Sequence, residues 1–299
     1  MSFKTSLELS LGKKEINNVY ICGDGYFMDV YNGIKNEDSI VKAFNELTKS
    51  VKNAKVNLML VPTAVTIYSD KLPKNIKHVS QLTDIQEIYG RVHCNTIDVY
   101  NALMAQRDRF NLFYKYDHHW TTYAAYYAYV EYCKNIGIDY LNMDEFNVEK
   151  VCSDFKGTTY SKVNQYSVKG DPIYVFYQNN LNITVDYIDT QETKNSLYAL
   201  SYLDQKDKYS LFLDNIHTLT EITNKNIDSD DELVLIKDSY ANSMVPFLIN
   251  HYKKIYVIDP RSYMDTMSDF INEHSQVKEV LVLYNMDTID SDTGVRSIY

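Results

Sequence analysis

Asp117 and His119 flank one residue in Tyr116-Asp117-His118-His119-Trp120-Thr121-Thr122, the densest polar cluster of the chain and the site of its single tryptophan. In an extended or turned segment such residues point the same way, so the carboxylate can accept the Nδ1 proton of His119 and leave Nε2 free as a base. That pair is half of a Ser/His/Asp triad. Ser239 is the candidate nucleophile. The apolar run 233–236 reads as a strand that passes through Lys237-Asp238 to Ser239 and then into a helix over 240–249. A serine at such a turn presents its hydroxyl, with its own backbone N–H and the helix N-terminus facing an oxyanion on the attacked carbonyl. Asn285 follows another strand, at 280–283, and its amide is a suitable second oxyanion donor. Loss of such a donor typically costs about 2.7–4 kcal/mol of barrier.

Each of these residues also has a plainer reading. Asp117 suits a turn, with one histidine packed in the core, the other solvated and Trp120 as an anchor; Asp238 or Ser239 suits a helix cap, and Asn285 an ordinary turn. Asp and His are also zinc ligands, but no partner pair at ligand spacing accompanies them. Cys22, Cys94, Cys133 and Cys152 form no C-x-x-C pair and read as buried free thiols.

The elements that must position these groups follow from the apolar pattern. Around Gly23-Asp24-Gly25 two short β-rich runs predict a hairpin, and a polar helix follows at about 38–52. The run 56–61, ended by Pro62, has the continuous apolar character of a strand covered on both faces. A weaker strand at 92–98 leads into a helical stretch, and Thr121 or Thr122 caps a helix rich in Ala and Tyr. Strands at 233–236, 255–258 and 280–283, separated by polar or helical sequence, imply βαβ crossovers and a parallel sheet. Chemistry in such sheets sits beyond the carboxyl ends of the strands, at Lys237-Asp238-Ser239-Tyr240, Asp259-Pro260-Arg261-Ser262 and Asn285-Met286-Asp287. Residues 140–227 alternate Tyr, Thr and Asn with apolar residues and read as a β-rich insertion within a single domain spanning 1–299.

Composition narrows the partners. The chain has 299 residues and a formal charge of −10, with a pI near 5.2. It lacks the basic footprint that phosphate neutralisation requires, which argues against nucleic acid and against an anionic membrane surface. No apolar run approaches the roughly 20 residues of a membrane span, and residues 1–30 show no signal peptide. The 28 tyrosines against 11 phenylalanines offer flat faces with polar edges, suited to stacking on sugar rings; a compositional bias that places Tyr for Phe in half-buried strands is the alternative.

The segment Tyr116-Asp117-His118-His119-Trp120-Thr121 with Ala124-Ala125-Tyr126-Tyr127, and the later Lys237-Asp238-Ser239-Tyr240-Ala241-Asn242-Ser243, Pro246-Phe247 and Asp259-Pro260-Arg261, resemble the DHHW protein family. That family is similar to the alginate O-acetyltransferase group of SGNH-type hydrolase folds. The resemblance covers nearly the whole chain. It implies a flavodoxin-like parallel sheet with helices on both faces, and a triad of Asp117, His119 and Ser239 in that chain order. Lys237 stands where many esterase-type relatives have glycine. Tyr240, Arg261 and Tyr263 join Asn285 as candidate oxyanion or substrate residues. The activity implied is O-acetyl transfer to a secreted or cell-surface polysaccharide through an acetyl-serine, without a cofactor. A membrane-bound acyltransferase would deliver the donor, and a segment outside this sequence would hold the domain at the membrane, outside the cell. A carbohydrate esterase and a silent polysaccharide-binding or assembly subunit are the alternative functions.

Overall fold

The computed structural model describes residues 11–165 and 168–299. Its strands are β1 (Glu15–Ile16), β2 (Val19–Ile21), β3 (Phe27–Asp29), β4 (Lys55–Val61), β5 (Asn95–Thr96), β6 (Asn147–Phe155), β7 (Asp171–Tyr177), β8 (Ile183–Tyr187), β9 (Glu192–Lys194), β10 (Leu219–Asn224), β11 (Glu232–Lys237), β12 (Lys254–Ile258) and β13 (Val277–Asn285). The helices are α1 (Glu37–Ser50), α2 (Ala64–Ile67), α3 (Gln81–Tyr89), α4 (Tyr100–Gln106), α5 (Thr122–Ile136), α6 (Thr158–Val163), α7 (Val245–Leu248) and α8 (Met267–Glu273).

Eight strands form the main sheet, in the order β5-β4-β13-β11-β12-β10-β8-β9. The first five run parallel to one another, as the βαβ spacing predicts. The sheet is nevertheless mixed rather than wholly parallel, because β10, β8 and β9 add antiparallel strands beyond β12. Those strands come from 140–227, so part of that segment continues the sheet where we expected it to pack against it. In β4, β11 and β13 six consecutive C-terminal residues of the first and last, and five of the second, are buried. Such continuous burial requires cover on both faces, which explains why these strands read as unbroken apolar runs.

Two smaller sheets flank this core. The β1-β2-β3 meander contains the hairpin around Gly23-Asp24-Gly25, with Tyr20 opposite Met28. Gly25 lies at φ +80°, a conformation that favours glycine. Strands β6 and β7 pair separately, with irregular register after Lys150 and again after Cys152. Helix α1 buries Ile40, Ala43, Phe44 and Leu47, the i, i+3, i+4, i+7 stripe of an amphipathic helix, with Val41 beside them.

Two local expectations change. The helix predicted over 240–249 is a 3-10 turn at Ser239–Ser243 followed by the four residues of α7. Pro246 sits in the first turn of α7, where its missing N–H costs no helical bond. Of the four cysteines, all free, Cys22 and Cys133 are buried as expected, whereas Cys94 and Cys152 are only half-buried. No helix among the described residues is long and apolar enough to cross a membrane.

Candidate active site

The segment carrying the histidines is a tight loop closed on itself. Phe113 and Trp120 form an isolated antiparallel bridge, and the Thr121 N–H donates to the Leu112 carbonyl at 2.8 Å. The buried Asp171 carboxylate, at the start of β7, accepts the N–H groups of Lys115 at 2.8 Å and Tyr116 at 3.1 Å. Thr121 occupies the N-cap of α5 with extended backbone, but its hydroxyl donates to the Asn111 carbonyl instead of capping the helix. The loop is thus pinned from both sides before it presents a functional group.

Trp120 joins this loop to the serine turn. Its indole N–H reaches the Tyr240 carbonyl and Ser243 Oγ, each at 2.9 Å, and the Tyr240 hydroxyl donates back to the His118 carbonyl. The consequence is a short contact across 120 positions of chain: His119 Nε2 lies 2.8 Å from Ser239 Oγ. His119 Nδ1 lies 2.5 Å from Asp117 Oδ1. Asp117 and His119 are buried and Ser239 is half-buried, so the hydroxyl can meet a solute while its base and acid are sheltered. The arrangement has the distances of a nucleophile, a general base and an orienting acid.

Several groups that hold this geometry were not visible in the sequence. Asp117 Oδ2 accepts the Thr158 N–H at 2.8 Å and its hydroxyl at 3.1 Å, so the first turn of α6 fixes the acid. Gly157 approaches so closely that a Cβ there would stand 1.9 Å from Asp117 Oδ2. Tyr209 stacks on the His119 ring, centroids 3.6 Å apart and planes within 10°, and donates to Ser243 Oγ at 3.1 Å. Both Thr158 and Tyr209 come from the 140–227 segment. Gly157 next to a pair of threonines was the available signal; nothing local distinguishes Tyr209 among 28 tyrosines.

The electrostatics suit proton transfer. Burial alone would push the Asp117 carboxyl up, but the charges of both imidazoles, the His119 hydrogen bond and the Thr158 N–H reverse this and hold it well below the usual carboxylate range. His119 is lowered, first by burial and then by the neighbouring His118, against the opposing pull of Asp117. A base works only when neutral, and lowering its pKa extends the neutral form to more acid solution. We therefore expect kcat/KM for an ester substrate to stay level down to about pH 5.5, where an ordinary imidazole of pKa about 6.5 is mostly protonated. A pH–rate profile with its acid limb centred at about 6.5 or above contradicts this assignment of His119.

The remaining expected site residues are placed elsewhere. Asn285 is not an oxyanion donor. Its Nδ2 hydrogens go to Asp238 Oδ2 at 2.6 Å and Thr288 Oγ1 at 2.8 Å, while its Oδ1 accepts the N–H groups of Asp287 and Thr288. Tyr240 is wholly buried, and its backbone N–H is taken by Asp238 Oδ1 at 2.9 Å. Arg261 folds back on Asp259, with Nε 2.7 Å from Oδ1 and a second contact to Oδ2, an ion pair that also includes the buried Lys237 at 3.4 Å. Tyr263 packs edge-on against Phe270 of α8. Without a long helix after Ser239, the dipole expected there is reduced to a 3-10 turn. Of the donors considered, the Ser239 N–H is left without an acceptor among the described residues.

Ligand atoms of Asp117, His118 and His119 lie within 4.8 Å of one another, the spacing of a potential metal site. These atoms are already engaged with one another and with their neighbours: His119 Nδ1–H donates to Asp117, His119 Nε2 faces Ser239 Oγ, and His118 Nδ1–H donates at 2.6 Å to Thr158 Oγ1, whose own proton goes to Asp117.

The DHHW protein family profile matches residues 6–258, which is most of the chain and includes the whole of this site. The chain belongs to the DHHW family. The structure of a DHHW family protein from Eubacterium siraeum is similar, with TM-score 0.82 and 24% identity over 94% of this chain and 96% of that one. Bacillus cereus PatB1, solved with a sulfonyl adduct, has TM-score 0.74 and 17% identity over 92% of this chain and 97% of its own. The O-acetyltransferase domain of Pseudomonas putida AlgJ has TM-score 0.54 and 10% identity over 91% and 92%. At these identities the likeness is one of fold. No curated protein sequence matches the chain.

Proposed function

We propose that this DHHW protein is a serine O-acetyltransferase acting on a polysaccharide, and that Asp117, His119 and Ser239 are its catalytic residues. The observation that carries the reading is the 2.8 Å contact between His119 Nε2 and a half-exposed Ser239 Oγ, with Asp117 on the far nitrogen. The fold shared with the AlgJ O-acetyltransferase domain supports acetyl transfer as the reaction. In the first half-reaction Ser239 Oγ attacks the acetyl carbonyl of the donor as His119 takes its proton. The tetrahedral intermediate then expels the donor's leaving oxygen, which takes that proton, and acetyl-Ser239 remains. In the second, a sugar hydroxyl gives its proton to His119 and attacks the acetyl-serine. The bond to Ser239 Oγ breaks, the proton returns to Oγ, and a sugar acetate leaves. Asp117 fixes the Nδ1–H tautomer and offsets the imidazolium charge in both halves. No step draws on a cofactor.

We read 1–299 as one SGNH-type catalytic domain with 140–227 inserted, since that segment supplies Thr158 and Tyr209 to the site. Its setting would be outside the cell, beside a membrane-bound acyltransferase that hands over the acetyl group. The test is product analysis. With a chromogenic acetate ester as donor and an oligosaccharide as acceptor, mass spectrometry should find an acetylated oligosaccharide and, after acid quench, an acetyl group on the Ser239 peptide. Free acetate with no sugar ester would make the protein an esterase, and an unmodified Ser239 peptide would end the covalent mechanism.

A further inference from the structure

The chain leaves β4 toward β5 and β11 toward β12, in opposite directions across the sheet, and β13 lies between them. Diverging connections open a crevice at the carboxyl ends of the strands. A polar cleft of about 340 Å³ is found in that region, walled by β3, the following loop, α6 and the residues after β13. Both flanking elements reach the triad. Thr158 begins α6 and holds Asp117, and Lys162 lines the cleft one turn further along the same helix. Asp238, next to Ser239, accepts the Asn285 N–H at 2.7 Å, and Asp287 lines the cleft two residues beyond. Burial, and after it the neighbouring Asp29 carboxylate, push the Asp287 carboxyl up to about 7, against the smaller pull of His118, whose ring is 3.8 Å from that of His119.

The chemistry of the walls is that of a hydroxyl-rich ligand. Asp287 stands with one oxygen on the Gln81 amide at 3.1 Å and is half-buried. Asn18 and Asn32 add amides, and Asp29 is tied to Lys162 at 2.6 Å. Three carboxylates line the space, those of Asp29, Asp287 and Asp290, against the two ammonium groups of Lys35 and Lys162. With Lys162 engaged by Asp29, a carboxylate on an entering sugar would face Asp287 and Asp290 with only the exposed Lys35 to offset them. Planar carboxylates and amides take paired sugar hydroxyls well, and like charges in a partly dehydrated cleft do not.

We propose that this cleft is the acceptor subsite, that Asp287 binds the acceptor's hydroxyls there, and that the site takes an uncharged glycan and rejects a polyuronate. The proposal rests on the reading of Ser239 as the acetyl carrier, but its binding can be measured without that chemistry. Calorimetry on Ser239→Ala at about pH 8.5, where the Asp287 carboxyl is ionised, should show an N-acetylated β-1,4-linked hexosamine tetramer, which is uncharged, binding at least about tenfold more tightly than a β-1,4-linked tetrauronate. Adding Asp287→Asn should weaken the uncharged tetramer about tenfold, removing paired acceptor contacts while leaving the uronate no weaker. Asn32→Ala, on the exposed wall, should weaken it about threefold and guards against an Asp287 variant that fails to fold. Equal affinity for both tetramers, or an uncharged-tetramer affinity within about twofold of the parent in both variants, overturns the proposal. Absence of acetyl-Ser239 in the active parent overturns the covalent mechanism instead, whatever the tetramers do.

Discussion

Ser239→Ala should lower acetate release from a chromogenic acetate ester at least about a hundredfold, because the atom proposed to carry the acetyl group is gone. The measurement isolates chemistry from folding. Ser239 Oγ has a hydrogen-bond contact to His119 Nε2 and the residue is half-buried, so its removal should change stability by no more than about 0.5 kcal/mol. Thermal unfolding of the variant should therefore match the parent while its rate collapses. The residual rate has a physical floor: a pocket that still binds the ester, with the Ser239→Ala backbone N–H intact, keeps whatever stabilisation that donor gives a carbonyl oxygen. Equal rates in parent and variant would leave a polysaccharide-binding or assembly role for the same fold.

What the sequence made legible divides along a physical line. The triad candidates were readable because their cues are local: Asp117 and His119 share one loop, and Ser239 follows an apolar run that could only be a buried strand. The parallel strands at 55–61, 232–237, 254–258 and 277–285 were readable for the same reason, since cover on both faces leaves an unbroken apolar signature. The oxyanion assignments failed where position was taken for availability. Asn285 does lie at a strand end, but a buried amide must spend its hydrogens, and Asp238 and Thr288 claim them. Arg261 differs: it gives Nε and one amino group to Asp259, whose carboxylate lies wholly buried two residues before it, while the side chain stays exposed. The mixed character of the sheet was hidden because β8 and β10 alternate buried and half-buried residues, a pattern shared by any half-covered antiparallel strand wherever it is attached, and β9 is only three residues with none buried. Thr158 and Tyr209 were beyond reach, since what makes them part of the site is contact with residues 41 and 90 positions away in the chain.

Asp117→Asn should be as damaging as loss of the nucleophile, about 10³–10⁴-fold in kcat, with the geometry of the loop almost intact. The reason is in the direction of every hydrogen bond around the carboxylate. Oδ1 accepts two donors, the His119 backbone N–H at 3.0 Å and Nδ1–H at 2.5 Å. Oδ2 accepts two more, the Thr158 N–H at 2.8 Å and the Thr158 hydroxyl at 3.1 Å. An asparagine has one oxygen and one NH₂. If its oxygen faces His119, the NH₂ is driven against the Thr158 N–H, a donor facing a donor in a buried place, which costs about 1–3 kcal/mol. Turning the amide over frees Thr158 but sets the NH₂ against the His119 backbone N–H, a second donor–donor conflict, and there it also meets His119 Nδ1. The imidazole must now place its proton on Nε2, which points that proton at Ser239 Oγ and removes the lone pair that would deprotonate it. Loss of the negative charge also leaves the imidazolium of the transition state without its counter-ion. A rate within tenfold of the parent would show that His119 takes its tautomer from elsewhere, whereas a loss in this range in a variant that still folds cooperatively, destabilised by no more than about 1–3 kcal/mol, would fix Asp117 as the group that orients the base.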